Sequence, residues 1–513
     1  MENKLQCPHG LIYNSFGIIQ MQTFCTDHLQ VNVDNTFVRI FDDPIDRQIF
    51  TQDLRFYKRY ELKGFDIKIE IDDEENSILE GHVHVRAIMF FDNCMQLSYR
   101  FVVADEGKLA VEESNGEKEF CRINHPFNTD QLIIAAGISQ KVEHWDVDKN
   151  TGKQTIDGVI KKVTITGLHL DKDSVFYKSH CDDTVTSLDE VMLRYRYYFD
   201  KSPASERIPC LHHTFIDICE NIDHTGGSNF DDISEAAIIE HIETHHKAEL
   251  IGIMTLYPKE WPYRMDDSYE DVCGKNIAID TDDLVLTNQN MTLVIGTYGR
   301  RGGEEGGVNW IEHLKRRDAY HVCWPEYKTL IELILAKKQT INYAITRYVQ
   351  KSALISDSSQ NAREMIEANA KLSIQISNIV VQLDPMRYLR YMSHKYMFKV
   401  AENNMNVPND EKYLNEVISK IDNSLNNANN SMELKHAHNT NRILLIISLA
   451  SLFGVLLQGH HVPILTRLFH GYDIPGVIFA VILCAITLII ILWVIYILIR
   501  YYRKSKKKND KRI

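Results

Sequence analysis

The sequence predicts an α/β region in front, long stalk helices behind it, and two membrane-crossing helices near the end. Three observations set that order. Phe65, Ile67, Ile69 and Ile71 alternate with Asp66, Lys68 and Glu70, the two-residue period of a half-buried strand. Leu414, Ile418, Ile421, Leu425, Ala428 and Met432 alternate steps of four and three, a heptad seam on one helix. Residues 476–499 form a run of 24 without a charge, followed by a basic tail.

The chain has 513 residues, too many for one core, so two or three domains are expected. Mean hydropathy is −0.25 and net charge −13. The average conceals an asymmetry. Residues 500–513 hold eight basic side chains and one acid, which leaves 49 basic against 69 acidic residues on 1–499, a net −20. A body this acidic argues against direct nucleic-acid binding, which rests on neutralising phosphates. Ten cysteines are scattered without a CxxC pair, and residues 1–13 lack the apolar stretch of an export signal. The front region therefore reads as cytosolic and reducing.

Residues 1–200 read as β-rich and 201–324 as α/β. Strands are expected at 65–71, 82–91, 97–103, 159–170 and 291–296, with a helix at 233–248. Residues 325–440 read as a helical stalk region, broken at Asp384-Pro385 and restarted at Pro408. Residues 441–458 read as the first span, 459–475 as an outer loop, 476–499 as the second span and 500–513 as a cytoplasmic tail. The apolar run 443–457 alone suits a core or re-entrant helix, and needs Asn441, Arg442 and Gln458 as extensions to cross. The loop is far less basic than the tail, so both termini are expected in the cytoplasm of a multi-pass inner-membrane protein. The tail is expected to meet anionic lipid of the bilayer.

Three segments carry candidate chemistry. After the 291–296 strand comes a loop with six glycines, Gly299, Gly302, Gly303, Gly306 and Gly307 following Gly296. Its backbone and Arg300 and Arg301 could meet phosphate, and Tyr298 and Trp310 could stack on a base, although no Walker lysine ends it. A flexible connection is the plainer reading. His241 and His245 stand at i and i+4, a spacing that can hold zinc, with Cys210, Cys219, His212 and His213 nearby in sequence. A solvated helix face explains them as well. The acid-rich stretch Asp266 to Asp283 suits a hard divalent cation such as Mg²⁺ or plain solvent exposure.

The element order, together with Phe453-Gly454 and Gly459-His460-His461 at the end of the first span, resembles the CorA family of two-span divalent-cation channels. The likeness is specific from about residue 325 onward and architectural before it. In that family the first span ends in Gly-Met-Asn; here Gly459 matches, while His460 and His461 replace the other two. The resemblance is greatest to CorA-like membrane effectors of type III CRISPR systems that lack the motif. It implies a homo-pentamer, not an enzyme, gated by a nucleotide messenger such as an S-adenosylmethionine–AMP conjugate, which disturbs ion balance in antiphage defence. It further implies pore lining by Asn441, Ser448, Ser451, Val455 and Gln458. A divalent-cation (Mg, Co or Zn) transporter of altered selectivity is the alternative. A membrane-tethered enzyme using His241 and His245 is a third reading.

Overall fold

The computed structural model describes residues 10–457, except 14, 42, 52–56, 72–77, 91–92, 106–120, 124–126, 139–142, 148–153, 159, 169–187, 219–221, 225–233, 259–260, 297–324, 359–366, 369, 372 and 375–384. The strands are β1 Leu11–Tyr13, β2 Ser15–Cys25, β3 Val38–Phe41, β4 Tyr57–Ile71, β5 Ile78–Phe90, β6 Cys94–Asp105, β7 Cys121–Ile123, β8 Phe127–Asn128, β9 Glu143–Val147, β10 Gln154–Gly158, β11 Ile160–Thr166, β12 Leu211–Ile218, β13 Ile222–His224, β14 Asp283–Thr287 and β15 Met291–Gly296. The helices are α1 Pro44–Ile49, α2 Thr129–Ala136, α3 Leu188–Phe199, α4 Glu235–His245, α5 Lys247–Thr255, α6 Tyr269–Cys273, α7 Pro325–Ser358, α8 Met392–Asn404 and α9 Val407–Leu457.

Ten strands make one mixed sheet, in the order β11-β4-β5-β7-β6-β2-β12-β15-β14 with β3 attached to β4. Most neighbours run antiparallel, and β12 and β15 run parallel. Strands from either side of residue 200 thus pair directly, Phe215 facing Ile19 across β12 and β2. A smaller sheet joins β13, β1 and β8, and β9 pairs with β10.

Alternation along β2 divides the core in two. Phe16, Ile18 and Phe24 belong to one cluster, which α2, α3, α4 and α5 complete with residues such as Leu132, Val191, Ile242 and Leu250. Ile19, Met21 and Cys25 point into the other, where α1, α7, α8 and the start of α9 bring Ile49, Ile331, Phe398 and Leu414. The sheet is therefore buried on both faces. Gly64 sits at a register shift between β4 and β5, where a Cβ would collide with the carbonyl oxygen of Val83.

The chain divides into two compact units, Met1–Ala428 and Asn429–Ile513. In the first, α9 starts at Val407, and Leu414, Val417, Ile418 and Ile421 pack on the second cluster. The front of the expected stalk seam is thus spent on the body. In the second unit the chain is helical to Leu457, and Ile443, Leu444, Leu445, Ile446, Ile447 and Leu449 are exposed.

These findings correct the two-span fold class. The described residues form a large mixed sheet with helices on both faces, and among them no helix is long and apolar enough to cross a membrane. The description as a membrane protein and ion channel, and the inner-membrane multi-pass location, are corrected on the same finding. The first assigned span shows the reason. Its apolar run 443–457 covers about 22 Å at 1.5 Å per residue, short of a ~30 Å hydrocarbon layer. The helix before it carries His436, His438, Asn441 and Arg442. The second assigned span, 476–499, lies outside the described residues.

Ile19 is fully buried in a central strand, whereas Ile40 on β3 is 65% exposed. Ile19→Ala is expected to cost about 2–5 kcal/mol and Ile40→Ala under about 0.5 kcal/mol, compared by denaturant midpoint.

Candidate functional site: the charged seat of helix α7

Helix α7 follows Pro325 and is buried on nearly every side from Tyr327 to Ala344. Leu330, Ile331 and Ile334 meet the sheet, as an interior helix requires. Charged residues go inside with them. Lys328, Glu332, Lys337 and Lys338 are each under 8% exposed. Burying an ion costs several kcal/mol unless a partner offsets it, so each must be traced.

Glu332 lies between two cations. It accepts from Lys328 one turn earlier and from Arg59 Nη1 of β4 at 3.1 Å. Arg59 also grips Asp46 of α1 through Nε at 2.9 Å and Nη2 at 2.8 Å, a bidentate fork. Burial pulls the Lys328 ammonium below its usual range, and Glu332 only partly offsets this. Nearby, Arg86 of β5 stacks over Phe41 at 3.7 Å and lies 3.9 Å from Asp43.

One strand over, His84 of β5 faces Arg100 of β6 in the ladder. Burial pushes the His84 imidazole down to about 3, with help from His82, Arg100 and Arg86. Its Nε2 is buried without a hydrogen-bond partner among the described residues. The His82 ring lies 5.0 Å away, and its Nδ1 is 2.9 Å from Asp66. On the far side, Arg100 Nη2 and Asp217 Cβ lie 3.9 and 3.7 Å from the place a Cβ would take on Gly17. Cations and carboxylates thus interleave over β4, β5 and β6, with His84 held neutral among them.

The two ends of α7 have different partners. At its start the Tyr327 hydroxyl donates to Asp283 Oδ2 at 3.2 Å, and Asp283 pairs with Gly296 at the end of β15. Further along, Lys337 bridges Glu402 of α8 and Glu411 of α9, while Lys338 reaches Asp410 at 2.9 Å and the Met405 carbonyl at 2.7 Å. Burial depresses the Lys337 ammonium, but its bonds to Glu402 and Glu411 outweigh that and raise it overall. Tyr343 and Arg347 share Asp27, and the Tyr348 hydroxyl donates to Asp422 of α9 at 2.7 Å.

The expected site residues fare unequally. Tyr298, Gly299, Arg300, Arg301 and Trp310 lie outside the described residues. The His241 and His245 rings do meet, centroids 4.6 Å apart on α4. His213 instead binds Thr292, and Cys210 binds Arg196. Among the described residues no group of three or more His, Cys, Asp or Glu could hold a metal ion. Asn441, Ser448 and Ser451 are exposed on α9, and Val455 is helical. Gln458, Gly459, His460 and His461 lie outside the described residues.

Sequence reasoning missed His84, Arg86, Arg100, Arg59 and Glu332. A signal was present, for His82-Val-His84-Val-Arg86 puts three polar residues on one face of a strand read as apolar. It also missed His246, whose Nδ1 lies 2.8 Å from buried Glu249; that carboxylate accepts from Leu11 N at 3.0 Å and from Thr129 Oγ1.

No protein-family model, curated protein or solved structure matches the chain. Glu332→Ala leaves Arg59 and Lys328 facing each other without their shared anion. It should cost about 3–5 kcal/mol by denaturant titration, with Lys328→Met/Glu332→Leu recovering part of the loss.

Proposed function

We propose that the chain is a ligand-responsive effector whose mixed-sheet body senses a nucleotide messenger and signals through α7 to α9. One observation carries this reading. A single buried helix is bonded at one end to Asp283 beside the last residue of β15, and further along to α8 and α9 through Lys337, Lys338 and Tyr348. A ligand that displaces α7 necessarily strains those ion pairs, and it shifts the balance of states by its differential affinity for them.

The proposed ligand class rests on the guanidinium groups of Arg86 and Arg100, since guanidinium binds phosphate oxygens through paired N–H donors. A homo-oligomer is part of the proposal. The six exposed apolar side chains between Ile443 and Leu449 lie on all sides of the helix, apolar surface of the kind that another surface covers, and further copies of the same helix can supply that cover.

Calorimetry tests the binding step, with ATP, a cyclic oligoadenylate and the adenosylmethionine–AMP conjugate as probes. One of them should bind the full chain and alter amide exchange over residues 407–422. Lys337→Ala/Lys338→Ala should keep the affinity within about threefold and lose the change at 407–422. No binding by any probe, or binding that leaves 407–422 unaltered in the wild type, rejects the reading.

A further inference from the structure

We propose that Asp283 and Glu326 form a proton-operated latch that holds the first turn of α7 against β14. This deepens the sensor reading and rests on it, because α7 is the element that reading uses to carry the signal.

Geometry comes first. Asp283 opens β14, lies beside Gly296 of β15 and is 2% exposed. Its Oδ2 accepts from Tyr327, while its Oδ1 is buried with no hydrogen-bond partner among the described residues. Glu326, one residue before Tyr327, has a buried Oε2 in the same condition. Two acceptors without donors mark a place where a proton is missing from the ledger of bonds.

Among the described residues no cation joins them. The groups acting most strongly on Asp283 are Asp282 and Asp280 from the turn before β14, and Glu326 and Tyr327 from α7. From β15 the neighbour is Gly296. Helix α4, also against β14, lies on the opposite face with Leu284 and Leu286. Burial, then Asp282, pushes the Asp283 carboxyl up to about 7, against a pull from the Tyr327 hydroxyl, and burial raises Glu326 as well. Protonated, Asp283 gains a donor and loses its charge; ionised, it is a desolvated anion among carboxylates. The sign follows from the raised folded value. Stability from the neutral form is complete below the unfolded value near 4 and is lost as pH rises through about 7. The latch is therefore tightest below about pH 4, loosens as pH rises from there and is fully loosened above about 7.

Amide exchange of the full chain without ligand tests this, comparing wild type with Asp283→Asn at equal pH so that intrinsic exchange chemistry cancels. At pH 4 residues 325–331 should exchange alike in both. Above that the wild type should exchange faster by up to about tenfold per pH unit until about pH 7 and level off beyond it, since opening returns the carboxyl to its ordinary value near 4. Tyr327→Phe should move the levelling-off to higher pH, because the lost hydroxyl had lowered the carboxyl. Should Asp283→Asn fail to fold, the carboxyl ¹³C shift of Asp283 in the wild type decides, with a midpoint near 7 expected. A midpoint near 4, or identical exchange of the two proteins at pH 8, overturns the latch. The ligand response at 407–422 reports separately: its absence beside a working latch rejects the sensor reading alone, and its persistence beside a flat pH profile rejects the latch alone.

Discussion

Arg59 holding Asp46 and Glu332 at once is the contact on which the arrangement of this body depends. The guanidinium joins β4, α1 and α7, and so fixes where the buried helix crosses the sheet. Apolar burial alone would not set that position, for Leu330, Ile331 and Ile334 could slide along a surface of Ile19, Phe215 and Val294 at modest cost. A buried ion pair is weak evidence for stability and better evidence for register. Once α7 is placed, Lys337 and Lys338 determine how α8 and the first turns of α9 lie against it.

The two faces of the sheet answer the cost of burying polar groups differently. On one, Glu249 gathers donors from β1, α2 and the junction of α4 and α5, so the carboxylate is satisfied from three directions. On the other, positive groups from three strands face a helix that brings its own charges. Satisfied networks rigidify a core. The second face concentrates charge where a change in one group is felt by its neighbours through a low dielectric.

Local periodicity was legible in the sequence. Ile67, Ile69 and Ile71 are buried, with Asp66 exposed and Lys68 and Glu70 half-buried between them, as a period of two requires. The helix near 233–248 and the start at Pro408 were also readable. The pairing of β12 with β2 and with β15 was not, because those contacts join residues 188 to 200 and 77 apart, and periodicity carries no partner information. The heptad seam at Leu414 was real as a pattern, but its first turns pack on the body beside α7 rather than on a second copy of the same helix. Spacing shows an apolar stripe and not what covers it. The charges of α7 are hidden for the same reason: Lys328 and Glu332 at i and i+4 have the spacing of a solvated pair, and only Arg59, far away in sequence, turns them inward.

A switch needs a place where bonding is incomplete, and that separates the two buried carboxylates. Glu249 has a donor for each oxygen, so protonating it would break bonds and nothing would be gained. Asp283 has one donor for two oxygens, so its neutral and charged forms differ by one bond and one buried charge. Elements poised between states are drawn from the less satisfied parts of a fold. The start of α7 meets that condition, and its later turns, clasped by Lys337, Lys338 and Tyr348, do not. Loosening under the proposed latch is confined to the turn before Lys328, because Arg59 and Lys328 hold Glu332 in place beyond it.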